Sequence, residues 1–371
     1  MVKVLLVNLE GRIGGGERSL LGLVGHLRDR YELSVACPGR GGLFKAVCGL
    51  DVVCQSIPQP PCCSFFSVEW LVYWMISSLR LLQIVLKTKP HVVHANNLPA
   101  GMVSLAATIF TGRKLLVHSR DLGRFVILER IIFGFCAGVI AVSETVKDRP
   151  GLSGYDSSRV KVIYSGVEGQ PAIASTSKSM RRSGDGFVFA NIGQFVPWKN
   201  QTVFLRAAEL VSREIQEARF FLVGDDLFGR RTAYKRFLLR RIKESSLGSK
   251  VILTGWRSEM EVIWRDVDCL VHTAQKEPFG RVIAEAMLRK VPVVAFDACG
   301  PGEIIISGQT GILVRSGDER ELARAMVRIY RESHYVDRLV CNGYEYAEAH
   351  FSASRTADEV GRVYNEIVGM N

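Results

Sequence analysis

The sequence predicts an α/β protein made of two tandem Rossmann-like, doubly wound parallel-sheet domains that face each other across a cleft. Three observations carry that expectation. Short, continuously apolar, β-branched runs alternate with helix-length segments, as strands covered by helices on both faces require. The alternation stops once, over residues 166–186, where Ser, Gly and charge replace large apolar side chains, so this stretch reads as a linker. It then starts again, and 371 residues suffice for two domains of ordinary size, each with its own core.

Taken in order, "VKVLLV" (2–7), "ELSVAC" (32–37), "DVVCQS" (51–56), "HVVHAN" (91–96), "KLLVHS" (114–119) and "GVIAVS" (138–143) read as the strands of a first domain, residues 1–165. Helical segments at 17–29, 68–89 and 98–108 lie between them. A second domain, residues 187–350, takes strands at "FVFANIG" (187–193), "RFFLVG" (219–224), "KVILTG" (250–255), "DCLVHTA" (268–274), "VPVVAFD" (291–297) and "TGILVR" (310–315). Helices are expected at about 201–215, 230–245, 258–266, 279–289 and 318–349. A last amphipathic helix at 354–368 lies within the terminal segment 351–371. In such sheets ligands bind beyond the carboxyl ends of the strands.

Composition narrows the class further. Nine cysteines, an odd number without CxxC spacing, argue against a disulfide framework and for reduced thiols in a cytoplasmic protein. The adjacent Cys62 and Cys63 read as incidental. "MVKVLLVNLEG" suits a buried strand better than the core of a secretory signal. The greasiest stretch, "WLVYWMISSLRLLQIVL" (70–86), repeats Ser77, Arg80, Gln83 and Lys87 at helical spacing as one polar stripe. A helix mostly buried in the protein is expected there, ahead of one lying on a membrane face. The net charge of +11 is uneven: residues 1–165 hold 19 Lys/Arg and 11 Asp/Glu (+8), and the remainder 29 and 26 (+3). That bias points to an anionic partner such as phospholipid headgroups, a lipid-linked phosphate or an acidic glycan. No nucleic-acid recognition motif accompanies it.

Four segments offer chemistry. "NLEGRIGGGERSLL" places three glycines between the first strand and first helix, where backbone approaches an anion closely and a helix start adds N–H donors. "NIGQFVPWKNQ" (191–201) sets Lys199 just before a helix, as a phosphate-binding cation. "KLLVHSRD" brings His118, Arg120 and Asp121 to the end of a strand, where a histidine serves either as a donor to substrate or as a structural hydrogen-bonding group. "EPFGRVIAEAM" (277–287) starts a helix near Pro278, with Glu277 before it and Glu285 about two turns inside, a rise of roughly 12 Å over eight residues at helical pitch. Acceptor, anion seat and second acceptor follow one another there, in the order of a sugar diphosphonucleoside's hydroxyls, phosphates and ribose. Asp266 and Asp268 have the D-x-D spacing of a metal site but fall where a helix meets a strand, which favours capping or solvent-facing roles.

These segments, taken with "AVSETVK", "VIYSGVE", "FFLVGDD", "VILTGW" and "GPGEII..GQTGILV", make the chain resemble the retaining glycosyltransferases of the GT-B fold, family 4, over almost its whole length. The resemblance implies transfer of a sugar from a nucleoside-diphosphate sugar, UDP-sugar first and GDP- or ADP-sugar after it, to a hydroxyl acceptor such as a cell-envelope glycan or lipid-linked saccharide. It implies retention of anomeric configuration, no metal and no further cofactor. It also implies an acceptor-side first domain and a last helix that packs back onto the first domain, while the basic first half and its greasy helix lean toward peripheral contact with an anionic membrane surface. Glu277 would contact hydroxyls of the donor sugar and Glu285 the ribose. Gly15, Gly16 and Lys199 would hold the diphosphate with backbone N–H groups of Phe279, Gly280 and Arg281, and His118 would lie beside the transferred sugar. The chain departs from the family at Gln194, where an arginine is common, so Arg281 or Arg257 would have to replace that clamp. Tyr164-Ser165 likewise stands where proline-asparagine is usual. A nucleotide-sugar epimerase, a phosphorylase or a catalytically weak sugar-nucleotide binder fits the same plan, whereas the glycine spacing disfavours a nicotinamide enzyme.

Overall fold

A computed structural model describes residues 1–61, 67–123, 125–169, 186–226, 229, 232–257 and 259–370. Most of the stretch read as a linker, and the Cys62–Cys63 pair, lie outside these residues. The chain divides into two compact units: Met1–Val167 with Phe351–Asn371, and Glu168–His350.

Unit 1 runs β1 (Lys3–Val7), α1 (Gly15–Leu27), β2 (Glu32–Pro38), α2 (Gly42–Cys48), β3 (Val53–Ile57), α3 (Val68–Thr88), β4 (Val92–Ala95), α4 (Leu98–Thr111), β5 (Lys114–Ser119), α5 (Val126–Gly134), β6 (Gly138–Ala141), α6 (Glu144–Lys147) and β7 (Val160–Val162). Unit 2 runs β8 (Phe187–Ile192), α7 (Gln201–Glu214), β9 (Ala218–Val223), α8 (Thr232–Glu244), β10 (Val251–Gly255), α9 (Met260–Asp266), β11 (Cys269–His272), α10 (Arg281–Leu288), β12 (Val293–Asp297), α11 (Gly300–Ile304), β13 (Ile312–Arg315), α12 (Glu319–Arg331) and α13 (Ser333–Phe351). The last helix, α14 (Ala353–Val368), belongs to unit 1. Every expected strand forms within two or three residues of its expected bounds. β7, only three residues long, is too brief to stand out in the sequence.

Both sheets are parallel throughout, ordered β3-β2-β1-β4-β5-β6-β7 in unit 1 and β10-β9-β8-β11-β12-β13 in unit 2. Parallel strands need crossovers, and the right-handed rule then fixes the layers. In unit 1 the order grows leftward from β1 through α1 and α2, and rightward through α3, α4 and α5, so the two sets cover opposite faces. α14 joins α1 on its face: Val360, Val363 and Tyr364 share a buried cluster with Leu20, Leu23, Tyr31 and Val4. Local signals agree with the starts and stops. Ser67 caps α3 by accepting from Trp70 N–H, Asn97 caps α4 by accepting from Ala100 N–H, and Asp318 caps α12.

α3 departs from its expectation. It buries Trp70, Tyr73, Ser77, Ser78, Leu81 and Ile84, while Leu71, Met75, Ile76, Leu79 and Leu86 face outward beside Arg80 and Lys87. Ser77 thus leaves the polar stripe for the interior, and the helix is half-exposed on its apolar side instead of mostly buried. Periodicity alone does not say which side faces the sheet.

A buried polar line crosses unit 1. Tyr31 Oη donates to the Gly361 carbonyl (2.9 Å), the Tyr364 hydroxyl meets His94 Nδ1 at 2.6 Å, and the His94 ring stacks on His118 at 5.5 Å between centroids. Burial, with a smaller contribution from the Arg120 guanidinium, holds His94 at about 3. From about pH 6.5, the ordinary value, down to about 3, the unfolded imidazole takes up a proton that the folded one refuses. Acid therefore draws the equilibrium toward the unfolded chain. The unfolding midpoint should fall as pH is lowered from 7 to 5. His94→Gln should lower it at pH 7 but make it less dependent on pH. A midpoint that stays flat for the unchanged chain over that interval would contradict this assignment.

Candidate active site

In each unit the chain leaves two neighbouring central strands toward opposite sides, which opens a crevice at their carboxyl ends. In unit 2 those strands are β8 and β11. Buried Asn191, on β8, donates from Nδ2 to the Val271 carbonyl (2.8 Å) and to Thr273 Oγ1 (3.1 Å). Thr273 Oγ1 in turn donates to the Lys199 carbonyl (2.8 Å), and Gln275 N–H donates to the Trp198 carbonyl (2.9 Å). The loop after β8 is thereby tied to the loop after β11.

That tie places Lys199 Nζ against Glu277 Oε2, where it donates to the carboxylate, with His272 Nε2 3.6 Å from the same oxygen. The Lys199 and Glu277 side chains retain only 18% and 15% of their exposure. Burial by itself would raise the Glu277 carboxyl, but the Lys199 ammonium and the imidazole outweigh it and hold Glu277 at about 2. His272 is pushed the other way: burial, helped by Lys199, depresses it against the pull of Glu277. At neutral pH the cluster is a carboxylate, an ammonium and an uncharged imidazole.

The Glu277 backbone is held too, its carbonyl accepting from Gly300 N–H at 2.9 Å. α10 begins at Arg281, not near Pro278 as expected, because Gly280 adopts φ 101°, a left-handed turn that precedes the first helical residue. Glu285 is then little more than one turn into the helix, and the straight helical rise from Glu277 does not apply. Arg281 Nη2 lies 3.6 Å from Glu285 Oε1, so these two share the outer face of α10. Phe279 and Gly280 are buried in the turn between Glu277 and α10.

Of the other residues expected in the donor site, Gln194 follows β8, and its carbonyl accepts from Gln201 Nε2 (2.8 Å) and from Val196 N–H. Arg257 is exposed after β10, an edge strand separated from β8 by β9. Asp268 is buried and accepts from Val188 N–H (2.9 Å), which ties β11 to β8; it is neither solvent-facing nor part of a metal site. Among the described residues no cluster of His, Cys, Asp or Glu is arranged to hold a metal.

In unit 1 the corresponding strands are β1 and β4. Asn96 donates to Asn8 Oδ1 (2.9 Å) and to the Gly16 carbonyl (3.3 Å). Gly15 and Gly16 form the first turn of α1 and do not lie in a loop before it; Gly14 is the cap, and its N–H is already taken by Glu17 Oε2 (3.0 Å). Arg120 fills the crevice. Its Nε donates to the Asn96 carbonyl (3.0 Å) and Oδ1 (3.1 Å), Nη1 to Ser19 and Ser165, and Nη2 to His118 Nδ1 (3.1 Å). Burial, then Arg120, then His94 depress His118 well below the ordinary imidazole range, so it is neutral. An arginine can only donate, so Nδ1 accepts and the ring proton sits on Nε2. That Nε2–H is buried and has no hydrogen-bond partner among the described residues. His118 is thus a poised donor shut off from water, and Arg120 is the partly exposed group beside it.

The sequence reading passed over Asn8, Asn96, Asn191, His272 and Thr273. Each sits within one residue of the carboxyl end of a central strand, and the available signal is a polar residue where a buried apolar run stops.

Two family models match the chain: Glycosyltransferase Family 4 over residues 13–170 and Glycosyl transferases group 1 over residues 173–346. Among curated proteins, the chain is 23% identical over 360 residues to the lipopolysaccharide core biosynthesis glycosyltransferase LpsD of Rhizobium meliloti (strain 1021), covering 96% of each. It is 21% identical over 310 residues to the capsular polysaccharide biosynthesis glycosyltransferase CapM of Staphylococcus aureus, covering 78% of this chain and 80% of CapM. Among solved structures, HepE of Anabaena in complex with UDP-glucose superposes with a TM-score of 0.85 at 24% identity, over 99% of this chain and all of that one. Sucrose-phosphate synthase of Thermosynechococcus elongatus superposes with a TM-score of 0.82 at 19% identity, over the whole of both. At these identities the structural likeness establishes the GT-B fold.

Gly300→Ala is expected to unsettle the Glu277 loop, since a methyl group there would sit 2.5 Å from both the Cα and the carbonyl oxygen of Phe279. Overpacking of this kind costs about 1–3 kcal/mol. The melting temperature should fall by several degrees, and an unchanged value would show that the loop is not held by this contact.

Proposed function

The chain belongs to the GT4-type glycosyltransferases, and from that premise we propose that it moves a sugar from a nucleoside-diphosphate sugar to a hydroxyl of a cell-envelope glycan or lipid-linked saccharide, with retention of configuration. The observation that carries this reading is the Lys199–Glu277 pair, held beside neutral His272 at the carboxyl edge of the unit 2 sheet. The envelope assignment is supported by relatives named for capsule and lipopolysaccharide core synthesis, and the choice of UDP-sugar by HepE, solved with UDP-glucose.

Without donor, the ammonium and the carboxylate neutralise each other. A bound nucleoside-diphosphate sugar offers each a better partner: diphosphate oxygens for Lys199 and sugar hydroxyls for Glu277. The start of α10 presents backbone N–H groups near Arg281 to the same phosphates, and Glu285, one turn on, accepts from the ribose. The pair thus opens to a ligand that gives each member its own partner, with the negative charge of the diphosphate met by Lys199 and the N–H groups at the helix start. When the glycosidic bond to the diphosphate breaks, negative charge grows on the leaving oxygen, and Lys199 is placed to stabilise it. The acceptor hydroxyl attacks from the face the diphosphate leaves, and the leaving phosphate takes its proton. No carboxylate nucleophile is needed on that route.

The functional test is release of UDP from a UDP-sugar only when a hydroxyl acceptor is present. Release without acceptor at the same rate would overturn the transferase reading. UDP should also raise the melting temperature more than GDP or ADP, since saturation at about 100 times Kd adds roughly 2.7 kcal/mol. Equal shifts from all three, or none, would remove the UDP preference. Lys199→Ala should lower kcat by about a hundredfold, near 2.7 kcal/mol of barrier, whereas Glu285→Ala should mainly raise the donor KM. Normal turnover in Lys199→Ala would take the lysine out of the mechanism.

A further inference from the structure

We propose that His272 is the second partner of Glu277: when the diphosphate of the donor draws Lys199 away, His272 takes a proton from solvent and closes onto the carboxylate. The proposal rests on the donor reading given above and adds a positioning residue to it. His272 is 3% exposed at the end of β11, and neither of its ring nitrogens has a hydrogen-bond partner among the described residues. Its Nε2 lies 3.6 Å from Glu277 Oε2, just beyond hydrogen-bonding reach, and Lys199 Nζ holds that same oxygen. Two nitrogens therefore converge on one carboxylate oxygen, and the lysine alone engages it.

Charge makes the exchange necessary. Sugar hydroxyls give Glu277 hydrogen bonds but no positive charge, and a carboxylate that keeps 15% of its exposure is poorly stable without a cation. The charged groups that act on His272 are Lys199, from the loop after β8, and Glu277, from the loop after β11. Beside it in register β12 places Ala295, and on α10 Arg281 and Glu285 lie against each other on the outer face. Cys299, just before α11, is pushed above the ordinary thiol range, chiefly by burial, so it carries no charge at neutral pH. Burial disfavours the imidazolium, Glu277 favours it, and Lys199 opposes it. Withdrawal of Lys199 tips that balance toward the charged ring, and the incoming diphosphate pushes the same way. Binding of the donor and uptake of a proton are thus linked.

The test is calorimetric titration of the full chain with UDP at pH 7, repeated in buffers of different ionisation heat so that the slope counts protons. About half a proton or more should be taken up per UDP bound. The terminal phosphate of UDP is mostly ionised at that pH and can only release protons, so it does not mimic the signal. Affinity for UDP should rise about threefold from pH 8 to pH 7, as half a proton per site requires. His272→Gln keeps a donor at that place but cannot take up a proton, so both effects should vanish while UDP still binds. Glu277→Gln removes the charge that calls for the proton and keeps the shape, and it should abolish the uptake as well. UDP that binds without proton uptake, or an uptake that persists in either variant, overturns the proposal and leaves the donor reading standing. Failure of UDP to bind the unchanged chain overturns the donor reading and the proposal with it.

Discussion

A carboxylate removed from most of its water stays charged only if a cation reaches it, and Glu277 meets that requirement through Lys199. The rest of unit 2 is arranged around that need. Lys199 comes from the loop after β8 and Glu277 from the loop after β11, two strands that neighbour each other in space although 80 residues separate Asn191 from Val271. Neighbouring parallel strands end at the same edge of the sheet, and the reversal of order between these two leaves a crevice there. Asn191 and Thr273 then fix the loops to within hydrogen-bonding tolerance, and Gly300 lets a second backbone approach Glu277 from behind. Loss of either partner would strand a charge in a poorly hydrated place, which for buried pairs costs about 3–5 kcal/mol.

Unit 1 solves a different problem with the same topology. Its crevice holds one arginine whose donors are spread over Asn96, Ser19, Ser165 and His118, with no carboxylate among these partners. Burial, reinforced by the guanidinium, keeps the neighbouring imidazole uncharged, with its ring proton on Nε2. One unit thus offers a crevice edged by hydrogen-bond donors and the other a mutually neutralised pair.

Much of this was legible in the residues. Strand positions are plain because strands buried on both faces are continuously apolar, whereas the pairing of Glu277 with Lys199 is not, since 78 residues separate them and only the sheet order brings their loops together. What escaped follows from three-dimensional causes. The outward side of α3 cannot be read from its periodicity, because Ser77 and Leu79 satisfy the same helical spacing and only the position of the sheet decides which is buried. His272 and Thr273 are hidden in "DCLVHTA", where one apolar run supplies both the strand and the first residues of the site. The start of α10 moved from Pro278 to Arg281 because a proline favours a helix start in general, whereas Gly280 ends the preceding turn here with a positive φ.

Unit 1 is assembled from two stretches of chain, Met1–Val167 and Phe351–Asn371. On the ribosome its first stretch therefore emerges long before α14, and at roughly 5–20 residues per second the intervening chain takes on the order of ten to forty seconds to make. Throughout that interval Leu20, Leu23, Tyr31 and His94 lack the cover that Val360, Val363 and Tyr364 later give them. The nascent first unit must wait with an uncovered seam, and its maturation is timed by the synthesis of α14 after the whole of unit 2.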